Sequence, residues 1–232
     1  QSLEKLENFR AFGGAQSYPS RTKDTDDVDY STGSVGLGGA ITIFGSLIQD
    51  YVTQHNFVSK NFKPGKMVAL LGDAELDEGN IYEALLEGAK QNVRNCWWVI
   101  DYNRQSLDAV VADKLHLKID ELFASMGWRV ITLKYGKKLQ SLSKIKGGNK
   151  ILNWIDNCPN DLYSALSYMG SKGWREHLNK DLKKNKDAIN IIKSFSDIEL
   201  NETMSNLAGN DVEAVLEAFI EADNDDIPTC FI

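Results

Sequence analysis

Apolar residues fall along this chain in two rhythms: short unbroken runs, and longer stretches where they recur every three or four positions. The runs Lys66-Met67-Val68-Ala69-Leu70-Leu71 and Trp97-Trp98-Val99-Ile100 read as buried strands of a parallel sheet. Between them Ile81, Ala84, Leu85, Gly88 and Ala89 keep helical spacing, so 80–91 is predicted to be a helix with one buried face. Strand, helix, strand in this order is a βαβ unit, whose crossover is right-handed. Further along, 115–126 reads as a helix stopped at Gly127, and 128–133 as a third strand. From 138 to 223 the pattern is mostly helical, with Ile151, Leu152, Trp154 and Ile155 in phase and Asp211 as N-cap of a helix over 212–222. The stretch 143–150, with Gly147-Gly148, reads as a surface loop. Trp154, Tyr163 and Trp174 are read as core packing ahead of the lining of a ligand groove. Residues 227–232 begin a further strand. The alternation predicts an α/β fold, a mainly parallel sheet flanked by helices.

Composition narrows the function classes. A chain of 232 residues is long enough for one large domain, and its net charge of −7 disfavours nonspecific nucleic-acid binding. The basic cluster Lys180, Lys183, Lys184 and Lys186 reads as a solvated helix face. No uninterrupted apolar run approaches the roughly 18–20 residues of a membrane span, and the charged first residues do not form a secretion signal. Cys96, Cys158 and Cys230 lack metal-ligand spacing; Cys96 and Cys230, in apolar strand-like runs, are expected as buried free thiols, in a reducing, cytoplasmic setting. His55, His116 and His177 are scattered and read as surface residues. No Ser-His-Asp arrangement is legible.

The chemistry concentrates in Gly72-Asp73-Ala74-Glu75-Leu76-Asp77-Glu78 and, 30 residues after Asp73, in Asn103 of Asp101-Tyr102-Asn103-Arg104-Gln105. Each follows the predicted carboxyl end of a strand, the edge where open α/β sheets bind ligands. A small hard cation wants oxygen ligands and shares them readily with phosphate oxygens. One carboxylate, one amide oxygen and one carbonyl suffice as the protein's share. A helix start near Asp77 would add backbone donors for a phosphate. Upstream, Ser31-Thr32-Gly33-Ser34-Val35-Gly36-Leu37-Gly38-Gly39 opens a helix over 40–53, with glycines dense enough for close backbone approach to a ligand. The charged stretch 23–29 is no strand, so a dinucleotide-binding loop is disfavoured.

These elements resemble the transketolase-like thiamine-diphosphate enzymes. Asp73 and Asn103 match the two halves of their metal-diphosphate motif, and Thr32-Gly33-Ser34-Val35-Gly36-Leu37-Gly38 matches their glycine loop. Within that superfamily the chain is most similar to the homodimeric pyruvate dehydrogenase decarboxylating component. The similarity rests also on Leu6-Glu7-Asn8-Phe9-Arg10, Ser17-Tyr18-Pro19, Gln105-Ser106-Leu107-Asp108, Gly127-Trp128-Arg129-Val130-Ile131 and Pro228-Thr229-Cys230-Phe231-Ile232. The resemblance implies thiamine diphosphate and Mg²⁺ as cofactors. It makes Asp73, the Asn103 side chain and the Gln105 carbonyl metal ligands. It places Gly72, Ala74, Glu75 and Asn103 near the diphosphate, Gly33 and Val35 against the aminopyrimidine, and Tyr18 nearby. The family has Gly where this chain has Ala74, which a negative φ would accommodate.

The implied reaction is decarboxylation of a 2-oxo acid, pyruvate first among them, with the acyl group passed to a lipoyl-bearing acyltransferase. The implied partners are that acyltransferase, the remaining domains of the same enzyme and a second copy in a homodimer, with neither nucleic acid nor membrane. Residues 1–30 are expected as an N-terminal extension and 31–232 as the cofactor-binding domain, ending within its last strand. On this reading the chain is a piece of a larger enzyme, inactive by itself, with the proton-transfer residues elsewhere. Ketol transfer of the transketolase type and a noncatalytic interaction module are the alternatives.

Overall fold

The computed structural model describes residues 2–103 and 115–232. The chain divides into two compact units, Gln1–Trp98 and Val99–Ile232.

The first unit carries α1 (Leu3–Glu7), α2 (Leu37–Gln54), β1 (Met67–Gly72), α3 (Gly79–Lys90) and the beginning of β2 (Cys96–Asp101). Helix α2 packs against both α3 and β1. Its inward positions are mostly small (Gly39, Ala40, Thr42, Gly45, Ser46), with Ile43 as the one large apolar side chain among them and Gln49 buried as well. Ile81, Ala84 and Leu85 of α3 are buried, as their helical spacing predicts. The indole N–H of fully buried Trp98 donates to Thr42 Oγ1 at 2.9 Å, and Thr42 donates on to the Gly39 carbonyl at 2.7 Å.

The second unit continues with α4 (Leu115–Ser125), β3 (Arg129–Ile131), α5 (Lys137–Leu142), α6 (Gly148–Asn157), α7 (Asn160–Met169), α8 (Ser171–Asp181), α9 (Lys186–Ser194), α10 (Asp197–Met204), α11 (Val212–Asp223) and β4 (Thr229–Phe231). Helices α5 to α10 enclose a core of their own, built on Leu139, Leu142, Ile151, Leu166, Trp174, Leu178, Ile192 and Leu200. Trp174 is fully buried there, with the Trp154 and Tyr163 rings edge-on at 6.3 and 5.2 Å, and the Tyr163 hydroxyl donates to the Met204 carbonyl at 2.6 Å. Core packing is thus the role of Tyr163 and Trp174. Trp154 also borders a hollow of about 380 Å³ and donates its indole N–H to Asp181 at 2.8 Å. Asp211 caps α11 by accepting from Ala214 N–H at 3.2 Å.

The strands form a parallel four-stranded sheet in the order β1-β2-β4-β3. In β3 and β4 the register pairs Arg129 with Thr229, Val130 with Cys230 and Ile131 with Phe231. β2 is buried almost throughout, as expected of an interior strand. β1 departs from its expected full burial: Ala69 and Leu71 are covered, but Val68 is 52% and Leu70 75% exposed. It stands at the end of the strand order, and its covered residues alternate with open ones as a one-sided strand requires.

The 143–150 loop is shorter and tighter than its composition suggests, because α6 begins at Gly148. Gly147 takes φ +94°, and a Cβ there would lie 2.7 Å from both the Asp187 Cβ and the Ala188 nitrogen. The glycine therefore serves a close approach to α9 rather than loop freedom. All three cysteines are buried and none is in a disulfide. Burial pushes the Cys96 thiol up to about 11 and the Cys230 thiol well above its ordinary value, so both are inert as nucleophiles at neutral pH. His55 is exposed and His177 half-buried. Among the described residues no helix is long and apolar enough to cross a membrane.

Candidate functional site

The glycine loop ends at Gly36, which holds φ +78° immediately before α2. Only glycine is relaxed in that left-handed conformation. A side chain there would also collide, since an added Cβ would stand 2.8 Å from Glu78 Cβ and 2.9 Å from Asn80 Oδ1. The turn is thus pressed directly onto the segment after β1. Gly33, with φ +150°, lies beside Tyr18, whose ring carbon Cγ would be 3.3 Å from an added Cβ. Tyr18 and Val35 are both largely exposed.

β1 ends at Gly72, and a 3-10 helix occupies Asp73–Asp77. The α-helix starts only at Gly79, two residues later than the expected start near Asp77, because Glu78 is extended with ψ 129°. The donors nearest Asp73 therefore belong to the tight turn itself. Asp73 is 7% exposed and its Oδ1 accepts from Ala74 N–H at 3.1 Å. Ala74 lies within the 3-10 turn, where φ is negative, so its methyl group is accommodated where the resembling family has glycine. Among the described residues an added Cβ at Gly72 would meet nothing within 4 Å, which leaves that side of the strand end open to them.

Glu75 has a role that its motif position did not reveal. Its carboxylate accepts from Gly36 N–H at 2.8 Å and from Gly72 N–H at 3.1 Å. Half of this was foreseeable, because an acidic residue three positions after an N-cap is the capping-box spacing. The bond to Gly36, across 39 residues, carries no local signal. Asn80 was also missed: its amide stands beside Gly36, and its Nδ2 is buried without a hydrogen-bond partner among the described residues.

Asn103 belongs to the second unit, two residues past the end of β2, and is exposed. Its N–H donates to the Asp101 carbonyl at 3.1 Å, and its own carbonyl accepts from Asn160 Nδ2 at 3.5 Å. Gln105 lies outside the described residues. Asp73 and Asn103 thus each follow the carboxyl end of a strand, β1 and β2, which are neighbours in the sheet. Among the described residues no group of three His, Cys, Asp or Glu side chains could hold a metal. A closed all-protein cage of such ligands is therefore absent there.

A family model described as transketolase, thiamine diphosphate binding domain, matches residues 1–149. The pyruvate dehydrogenase E1 component of Buchnera aphidicola is 25% identical over 226 residues, covering 95% of this chain and 25% of that protein. Its Escherichia coli counterpart is 24% identical over 224 residues, 94% of this chain and 24% of that protein. The Haemophilus influenzae protein of the same name reaches 33% over 144 residues, 60% of this chain. The chain thus spans about a quarter of the length of the first two relatives. Among solved structures, a transketolase from Campylobacter jejuni superposes with TM-score 0.55 and 18% identity, covering 100% of this chain and 24% of that one. At that identity the likeness concerns the fold.

Proposed function

This chain belongs to the transketolase thiamine diphosphate binding domain family, and on that premise we propose that it is the cofactor-anchoring part of a pyruvate dehydrogenase of the E1 type. The observation that carries the choice is the similarity to pyruvate dehydrogenase E1 components along almost the whole chain, 95% of it in one relative.

The residues present suit the cofactor. Among the described residues a single buried carboxylate, Asp73, closes β1 beside an open strand end, without a histidine or cysteine cluster. Such an oxygen-only, incomplete donor set matches Mg²⁺ that takes its other ligands from phosphate and water. In this reading Asp73, the Asn103 amide oxygen and the Gln105 carbonyl hold the ion. Backbone around Gly72, Ala74 and Glu75 faces the diphosphate, and Gly33 and Val35 offer backbone to the aminopyrimidine. Thiamine diphosphate supplies the electron sink that lets CO₂ leave a 2-oxo acid. The chain's own residues anchor, orient and neutralise charge. The acyl acceptor is a lipoyl-bearing acyltransferase, and the working form is a cytoplasmic homodimer completed by the enzyme's further domains.

The test is turnover by the intact protein supplied with thiamine diphosphate and Mg²⁺. Pyruvate-dependent reduction of an artificial electron acceptor is expected. Ketol transfer between sugar phosphates, with no reaction on pyruvate, would replace this reading by a transketolase activity.

A further inference from the structure

Two segments far apart in sequence meet at one carboxylate. The Gly36 N–H, at the mouth of α2, and the Gly72 N–H, at the end of β1, both donate to Glu75, one to each oxygen, at 2.8 and 3.1 Å. The contact is half-buried. Gly36 is also fitted against Glu78 and Asn80 so closely that a Cβ would need one of them to shift. The glycine loop is therefore held to the Asp73 turn by one bridging side chain, beside the Glu78 and Asn80 side chains that crowd Gly36.

The carboxylate suits this position for two reasons. Each of its two oxygens accepts one N–H donor, whereas a glutamine amide in the same place would turn its NH₂ group toward one of them. Its charge also lies at the amino end of an 18-residue helix, where the aligned backbone dipoles favour an anion.

We propose that Glu75 is a positioning residue that clasps the glycine loop to the metal-binding turn and so presets their spacing for a single diphosphate-bearing cofactor. The proposal rests on the thiamine-diphosphate reading above. It gives Glu75 a different task from Asp73. Asp73 meets the ion, while the Glu75 side chain fixes the relation between the loop that contacts the organic part of the cofactor and the turn that contacts its phosphates. Neither oxygen of Glu75 needs to touch ligand for this. Loss of the clasp should weaken cofactor binding without changing how that binding depends on Mg²⁺.

The variant is Glu75→Gln, which keeps size and one acceptor but turns an NH₂ group toward one of the two N–H donors. Two measurements on the intact protein decide the matter. Amide hydrogen exchange reads the clasp itself: Gly36 and Gly72 should be protected in the parent and should exchange about ten- to hundredfold faster in the variant, as for lost hydrogen bonds to a charged acceptor. Unchanged exchange at both glycines overturns the clasp. Titration with thiamine diphosphate at saturating Mg²⁺ reads its consequence: the dissociation constant should rise by about tenfold or more, with the Mg²⁺ concentration for half-saturation unaltered. Equal affinity in the two proteins, or a changed Mg²⁺ requirement, overturns the positioning role. If the parent protein binds no thiamine diphosphate, the proposed function fails and the positioning role with it, while the exchange data still decide whether the clasp exists. Glu75→Asp provides a second variant should the glutamine protein fold poorly, since the shorter side chain cannot reach both donors.

Discussion

Replacing Thr42 by Val removes one oxygen from the interface that seats α2 on β2, and its cost can be worked from the structure. Trp98 is fully buried and Thr42 is 5% exposed. The hydroxyl accepts from the indole N–H at 2.9 Å and donates to the Gly39 carbonyl at 2.7 Å. Valine keeps the branch and nearly the volume, so no cavity opens and the helical rotamer remains accessible. The indole N–H loses this acceptor in a place water does not reach, a penalty of about 1–3 kcal/mol. The Gly39 carbonyl loses only a second donor, which adds little. Urea denaturation should therefore show a loss of about 1–3 kcal/mol, and thermal unfolding a midpoint lower by about 2–4 °C for each kcal/mol at this chain length. Thr53→Val is the control, because the Thr53 hydroxyl, half-buried on the same helix, bonds back to its own helix at the Gln49 carbonyl, 2.6 Å away. It should change stability by no more than about 0.5 kcal/mol. Equal effects of the two substitutions, or a Thr42→Val protein as stable as the parent, would refute the reasoning.

Gly36→Ala should destabilise by about 1–3 kcal/mol through backbone strain at φ +78° and contact with Glu78 and Asn80, measured by urea denaturation. Tyr163 gives a pH prediction. Burial pushes its hydroxyl from an ordinary 10.0 up to about 12. The folded state therefore favours the protonated phenol, and the associated stability, complete below pH 10, should be lost as pH rises toward 12. Tyr163→Phe should flatten that part of the alkaline stability curve relative to the parent. Arg129→Ala should have a small effect, within about 1 kcal/mol. Its partners Glu221 and Asp225 are both well exposed to solvent.

Much of this arrangement was legible from residue order alone, because burial leaves periodic marks. The continuous apolar run of β2 and the helical phase of Ile81, Ala84 and Leu85 gave strand and helix directly. Asp211 announced its helix through cap chemistry. Other features have no such mark. A strand at the sheet's end can be as apolar as an interior one, so Leu70 reads as buried although it is 75% exposed. Glycines show where a backbone can bend but not what it approaches, so Gly147 passed for a loose loop while packing on α9. The motif around Asp73 was visible because its residues are adjacent in sequence. The Glu75–Gly36 bond was not, because its partners meet only when α2 packs on β1 and α3. Which side chain bridges them depends on that tertiary fit rather than on any local spacing.

The central claim is that Asp73 binds the ion through which thiamine diphosphate is held. The direct measurement is calorimetric titration of the intact protein with thiamine diphosphate across a Mg²⁺ series, for the parent, Asp73→Asn and Asp73→Ala. Circular dichroism on each sample reads the fold, which should persist because Asp73 sits in a turn past the end of β1. The parent should bind saturably with Mg²⁺ and lose binding when the metal is chelated. Asp73→Ala, which lacks both charge and ligand oxygen, should show no metal-dependent binding. Asp73→Asn, which keeps an oxygen at the same reach, should be weakened less. Undiminished Mg²⁺-dependent affinity in folded Asp73→Ala protein would contradict the account.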